Sequence, residues 1–97
     1  MALTFKIPSA LRPLADGRDT VRVDAGPKTA GAALEALWAL YPALRLRIVT
    51  EQGVVRPHVN VFVGTDNIRD LEGLSTRVAD GAEIAVIPAV SGGTIFG

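Results

Sequence analysis

The chain has 97 residues, 48% of them apolar, and its ten lysines and arginines are balanced by ten acids. That length suits one domain with its own core, and the apolar content excludes a disordered chain. Zero net charge gives no reason to expect nucleic acid or an anionic membrane as partner, and the absence of cysteine excludes disulfides, thiolate zinc sites and cysteine nucleophiles.

The N-terminal stretch "MALTFKIPSALRP" lacks an apolar run of signal-peptide length after a basic start, and no run reaches the roughly 18 apolar residues of a membrane span. The expectation is a soluble, cytoplasmic protein, a monomer or weak dimer. Leu3, Phe5 and Ile7 alternate with Thr4 and Lys6, which predicts a half-buried strand. Pro8 and Pro13 bracket a loop, and Asp16-Gly17 marks a turn. Val21 and Val23 alternate with Arg22 and Asp24, completing an antiparallel hairpin with one apolar face to cover. The cover follows. Thr29 is placed to cap a helix, and Ala30, Leu34, Leu37 and Tyr41 fall on one helical face with Glu35 off it. Pro42 biases Tyr41 away from helical angles and stops the helix there.

Residues 43–57 fit either a short helix or an irregular strand. "HVNVFVG" is a firmer strand, Gly64 to Asn67 a turn, and "NIRDLEGLSTRV" a loop-rich connection with room for one short strand. Asp80-Gly81 turns the chain into a last strand, "EIAVIP". A hairpin, a covering helix and later strands predict an α+β fold, a sheet of four to five strands packed on one main helix. The domain is expected over 1–90, with a flexible tail over 91–97.

Little in the sequence points to catalytic chemistry. His58 is the sole histidine, so no histidine pair holds a metal, and its place before a strand fits a surface residue. Ser9, Ser75 and Ser91 have no evident base. Asp66, Asp70, Glu72 and Asp80 fit solvated turns; "GTDNIRD" lacks calcium-loop spacing, and "AGPKTAG" lacks the spacing of a phosphate loop. No catalytic residue and no metal ligand is therefore expected. Two features ask for more. If Val59, Val61, Val63, Ile84 and Val86 face the helix, then Asn60, Phe62, Ala85 and Ile87 face away, and Phe62, Ile87 and the adjoining Pro88 form a candidate docking surface. The other reading is that a loop carrying Leu71 and Leu74 covers it. The second feature is the ending, Ser91-Gly92-Gly93, which lacks bulk and can lie extended in a narrow channel. A frayed terminus is the plainer reading.

"DGAEIAVIPAVSGG" resembles the C-terminal signature of the MoaD/ThiS family of ubiquitin-like sulfur carriers. "VNVFV" resembles its middle strand, and "FKIPSALRPLADG" and "PAVSGG" resemble its cysteine-biosynthesis branch of thiocarboxylate carriers. The resemblance implies a β-grasp fold and a protein cosubstrate rather than an enzyme. It implies that an E1-like adenylyltransferase uses ATP and Mg²⁺ to form an acyl-adenylate at Gly93. A sulfur donor then displaces AMP, leaving a thiocarboxylate for a sulfur-accepting enzyme such as a cysteine synthase homologue. The carrier itself binds no cofactor. Ser91, Gly92 and Gly93 would enter the partner's active site. This chain departs from the family pattern by carrying Thr94-Ile95-Phe96-Gly97 beyond the second glycine. Extended, those residues move the terminal carboxylate about 13 Å further on. The expectation is a precursor trimmed after Gly93, in the manner of relatives processed by a JAMM-type metalloprotease. A retained extension would instead mark a non-carrier relative. Two other readings stand beside the carrier: a ubiquitin-like modifier conjugated to lysines, and a non-catalytic interaction domain. Cysteine, thiamin, molybdopterin, thiolated tRNA or a specialised metabolite could each receive the sulfur, with the N-terminal likeness and "PAVSGG" favouring cysteine or the last.

Overall fold

The computed structural model describes residues 2–24 and 26–88. Strand β1 (Leu3–Lys6) and strand β2 (Thr20–Val23) pair antiparallel, Leu3 opposite Val23 and Lys6 opposite Thr20. The link between them is a 3-10 turn over Ser9–Ala15, closed by Asp16 and Gly17 at φ of 56° and 76°. An aspartate followed by a glycine suits such left-handed angles, as the sequence predicts.

Helix α1 (Ala30–Leu40) starts where expected, with the Thr29 hydroxyl accepting from the Ala32 N–H at 3.2 Å. Its buried face comprises Ala30, Ala33, Leu34, Leu37 and Trp38. Tyr41 is only half-buried and lies just past the helix, at φ −135° and ψ 77°. Pro42 opens a 3-10 turn that runs into helix α2 (Arg45–Ile48), so the ambiguous stretch begins as a short helix. It then folds back through a single bridge between Val49 and Val55.

Strands β3 (Val59–Val63), β4 (Asp66–Asn67) and β5 (Glu83–Pro88) complete the sheet in the order β2-β1-β5-β3-β4. The expected turn over Gly64 to Asn67 is shorter than predicted. Gly64 and Thr65 alone make it, and Asp66 and Asn67 return to pair with Val63 and Phe62. Gly64 at φ 63° permits so tight a reversal. Two 3-10 turns, Ile68–Asp70 and Gly73–Ser75, lead to residues 76–78, which fasten to the start of α1. There Ala30 donates to the Thr76 carbonyl and Val78 to that of Lys28, each at 2.9 Å.

β5 lies between β1 and β3, parallel to the first and antiparallel to the second. The core fills the space between sheet and helix, with Phe5, Leu34, Leu37, Leu44, Ile48, Ile68, Val61 and Ile84 all buried. The expected α+β arrangement, five strands on one main helix, is met.

Candidate functional site

The register sorts the sheet's two faces. Val59, Val61, Ile84 and Val86 are buried against the helix, and Val63 packs partly against the same core. Their neighbours point the other way, because successive strand residues alternate. Phe62 lies opposite Ala85, and Asn60 opposite Ile87. Phe62 and Ala85 are half-buried, while Ile87 is 48% exposed. Pro88 ends the strand opposite Val59. Phe62 and Ile87 are thus brought to the outer face, as the sequence predicts, whereas Pro88, opposite the buried Val59, falls on the helix side by the same alternation.

The loop does not close over this face with Leu74. That residue packs on the helix side, so close to α1 that a Cβ on Gly31 would lie 3.3 Å from the Leu74 Cβ. Leu71 is itself 50% exposed. The remaining outer face is polar. Thr4 and Lys6 on β1 and Thr20 and Arg22 on β2 occupy it, with a loose Lys6–Glu83 ion pair at 3.7 Å between half-exposed groups. An apolar patch at one end and polar residues at the other give the face a direction.

A hydrogen-bond network borders the patch. The Asn60 Oδ1 accepts from Asn67 Nδ2 at 3.1 Å and from Arg69 Nη1 at 3.0 Å. Arg69 Nη2 also donates to the Arg56 carbonyl at 2.6 Å, and Arg56 Nε to the Leu46 carbonyl at 2.7 Å. The outward position of Asn60 was legible from strand alternation; its partners were not. His58 is exposed beside the start of β3 and lines a surface cavity with Leu46, Arg47 and Arg56. Among the described residues, no three His, Asp or Glu side chains gather as a metal site, and no helix is long and apolar enough to cross a membrane. The tail readings on Ser91, Gly92 and Gly93, and on Thr94, Ile95, Phe96 and Gly97, lie outside the described residues.

The sequence model of the ThiS family matches residues 5–93. This chain belongs to the ThiS family. Among its ThiS-family relatives, the sulfur carrier protein CysO of Mycobacterium tuberculosis is 35% identical over 95 residues, 96% of this chain and all of that one. Small archaeal modifier protein 1 of Haloferax volcanii is 40% identical over 78 residues, 79% of this chain and 85% of that one. The crystal structure of the Amycolatopsis orientalis BexX/CysO complex contains a chain that superposes with a TM-score of 0.85 at 28% identity, covering 94% of this chain and 99% of that one. The five-stranded sheet and its helix are therefore a ubiquitin-like β-grasp, shared with carriers and small modifiers of the ThiS family.

Proposed function

We propose that the protein is a sulfur carrier, a cosubstrate acted on by other enzymes in the cytoplasm. The observation that carries this is its similarity to CysO across 96% of this chain and all of that one. In this reading a peptidase, of the JAMM metalloprotease type, cuts after Gly93 and removes Thr94 to Gly97. An E1-like adenylyltransferase then joins the Gly93 carboxylate to the AMP of ATP, with Mg²⁺ in the enzyme and pyrophosphate leaving. A sulfur donor attacks the acyl carbon and AMP leaves, so that one oxygen of the carboxylate is exchanged for sulfur. An acceptor enzyme, such as a cysteine synthase homologue, takes that sulfur into cysteine or another metabolite.

The family match that runs to Gly93 supports that residue as the working end. Ser91 and Gly92 lead it into the partner's channel, while the Phe62 and Ile87 surface docks the domain. A complex of A. orientalis CysO with BexX supports a dedicated protein partner for a carrier of this shape. The likeness to the H. volcanii small archaeal modifier protein favours a second reading, in which Gly93 is joined to lysines of target proteins. Both readings share activation, so the product separates them.

The intact mass of the protein purified from its own host tests this. A chain ending at Gly93, with one oxygen exchanged for sulfur in a fraction of molecules, is expected. Higher-mass adducts on lysines would favour the modifier. A chain ending only at Gly97 while the pathway runs would overturn both.

A further inference from the structure

Where the described part of β5 ends, the surface changes character. Between Pro42 and Gly64 the chain carries Arg45, Arg47, Arg56 and His58 against a single acid, Glu51. The fold gathers three of these at one end of the sheet. Arg47, Arg56 and His58 line one surface cavity, and Arg69 reaches them by donating to the Arg56 carbonyl. That same carbonyl accepts from the N–H of Val59, the residue opposite Pro88. The cationic groups therefore flank the point at which the chain continues past β5.

They are also held ready. Arg56 uses its Nε on the Leu46 carbonyl and Arg69 divides its donors between Asn60 and Arg56, so both guanidiniums are fixed by backbone or amide oxygens, not by carboxylates. Among the described residues the only ion pair is Lys6–Glu83, at another part of the sheet. A guanidinium has five N–H donors, so each retains several for a partner, and paired N–H groups match a carboxylate. Arg47 and His58 are exposed and make no side-chain hydrogen bond among the described residues. Positive groups spread along a rim suit several separate carboxylates better than one compact anion.

We infer that Arg47, Arg56 and Arg69, with the His58 imidazole among them as a further polar contact, form a cationic collar that docks on acidic side chains around the mouth of the channel in the adenylyltransferase that receives the chain beyond Pro88. This rests on the carrier reading. The collar supplies orientation: the Phe62/Ile87 patch gives apolar contact, and the collar on one side of it fixes which way the domain is turned. With zero net charge overall, the attraction acts only within about a Debye length, roughly 8–10 Å at moderate salt.

The test measures binding of the full chain, and of the chain ending at Gly93, to the adenylyltransferase from the same organism, at low and high chloride. All described strands and helices lie within 3–88, so the shorter chain keeps them. The double variant Arg47→Glu/His58→Glu changes two exposed side chains, and a thermal melt matching the wild type establishes that it folds. It is expected to bind about tenfold more weakly at low salt, with the loss shrinking to about twofold at high salt. Lys28→Glu, near the opposite end of the sheet just before α1, is expected to bind as the wild type does. Equal binding of the double variant, or a loss unaffected by salt, overturns the collar and leaves the carrier standing if the wild type is adenylated. A wild type that neither binds nor is adenylated in either form overturns the carrier reading and the collar with it.

Discussion

Ile87 and Ile84 lie on the same strand, three residues apart, and substituting each with alanine separates docking from folding. Ile87 is 48% exposed on the outer face, whereas Ile84 is wholly buried against the helix. Full burial of such a side chain stabilises by about 1.5–3 kcal/mol, so a partner covering the exposed half of Ile87 gains about 1 kcal/mol. At 1.4 kcal/mol per tenfold, Ile87→Ala should raise KM for the carrier about fivefold in steady-state pyrophosphate release by the adenylyltransferase, using the chain ending at Gly93. The kcat should stay within about twofold, because Ile87 is remote from the reacting carboxylate in this reading. Its strand position costs stability by up to about 1 kcal/mol, a fall in Tm of about 4–8 °C or less. Ile84→Ala, by contrast, opens a cavity and should lose about 2–5 kcal/mol, with a correspondingly larger fall in Tm. An Ile87→Ala protein with unchanged KM, or with kcat reduced alone, would refute the docking role of this face.

Three further outcomes concern the frame that holds the site. Thr29→Ala removes the oxygen that accepts from Ala32 and should cost about 1 kcal/mol, seen as a lower Tm in a circular-dichroism melt. Arg69→Met keeps much of the bulk but loses the bonds to Asn60 and Arg56; a loss of about 1–3 kcal/mol is expected, measured as a lower urea midpoint with unchanged slope. Gly31→Val places a Cβ 3.2 Å from the Leu74 carbonyl oxygen and branches it further. It should destabilise by about 1–3 kcal/mol and shift the amide resonances of residues 73–75, and an unperturbed spectrum would argue against that close approach.

The strands and the main helix were legible because burial imposes a period on the sequence. Leu3, Phe5 and Ile7, then Val59 and Val61, alternate because a sheet has two faces, and Ala30, Leu34 and Leu37 recur because a helix has one buried stripe. Thr29 and Pro42 marked the helix ends by local chemistry that neighbours do not override. What was not legible depends on distant pairings. Nothing in "EIAVIP" announces that β1 will lie parallel to it. Trp38 escaped the predicted stripe because the buried face of the helix is wider than that stripe, and Trp38 lines a cavity with Val49 and Gly53, residues brought in by the segment after α2. The Asn60, Asn67 and Arg69 network joins a strand, the next strand and a 3-10 turn, and its hydrogen bonds follow no repeat. The outer-face patch needed only alternation, so Phe62 and Ile87 could be named from sequence, while the cationic rim beside them needed the fold.

The central position of β5 has a consequence for how the protein is made. It is the last of the five strands to leave the ribosome, yet it sits between β1 and β3 and joins the hairpin to the rest of the sheet. Until it emerges, the emerging chain shows two unpaired strand edges and an uncovered face of α1, which are the features that invite wrong pairing. Closure of the domain therefore waits on translation of Glu83 to Pro88. A chain lacking those six residues lacks both Ile87 and the strand that joins β1 to β3, so closure of the sheet and competence to dock depend on the same segment.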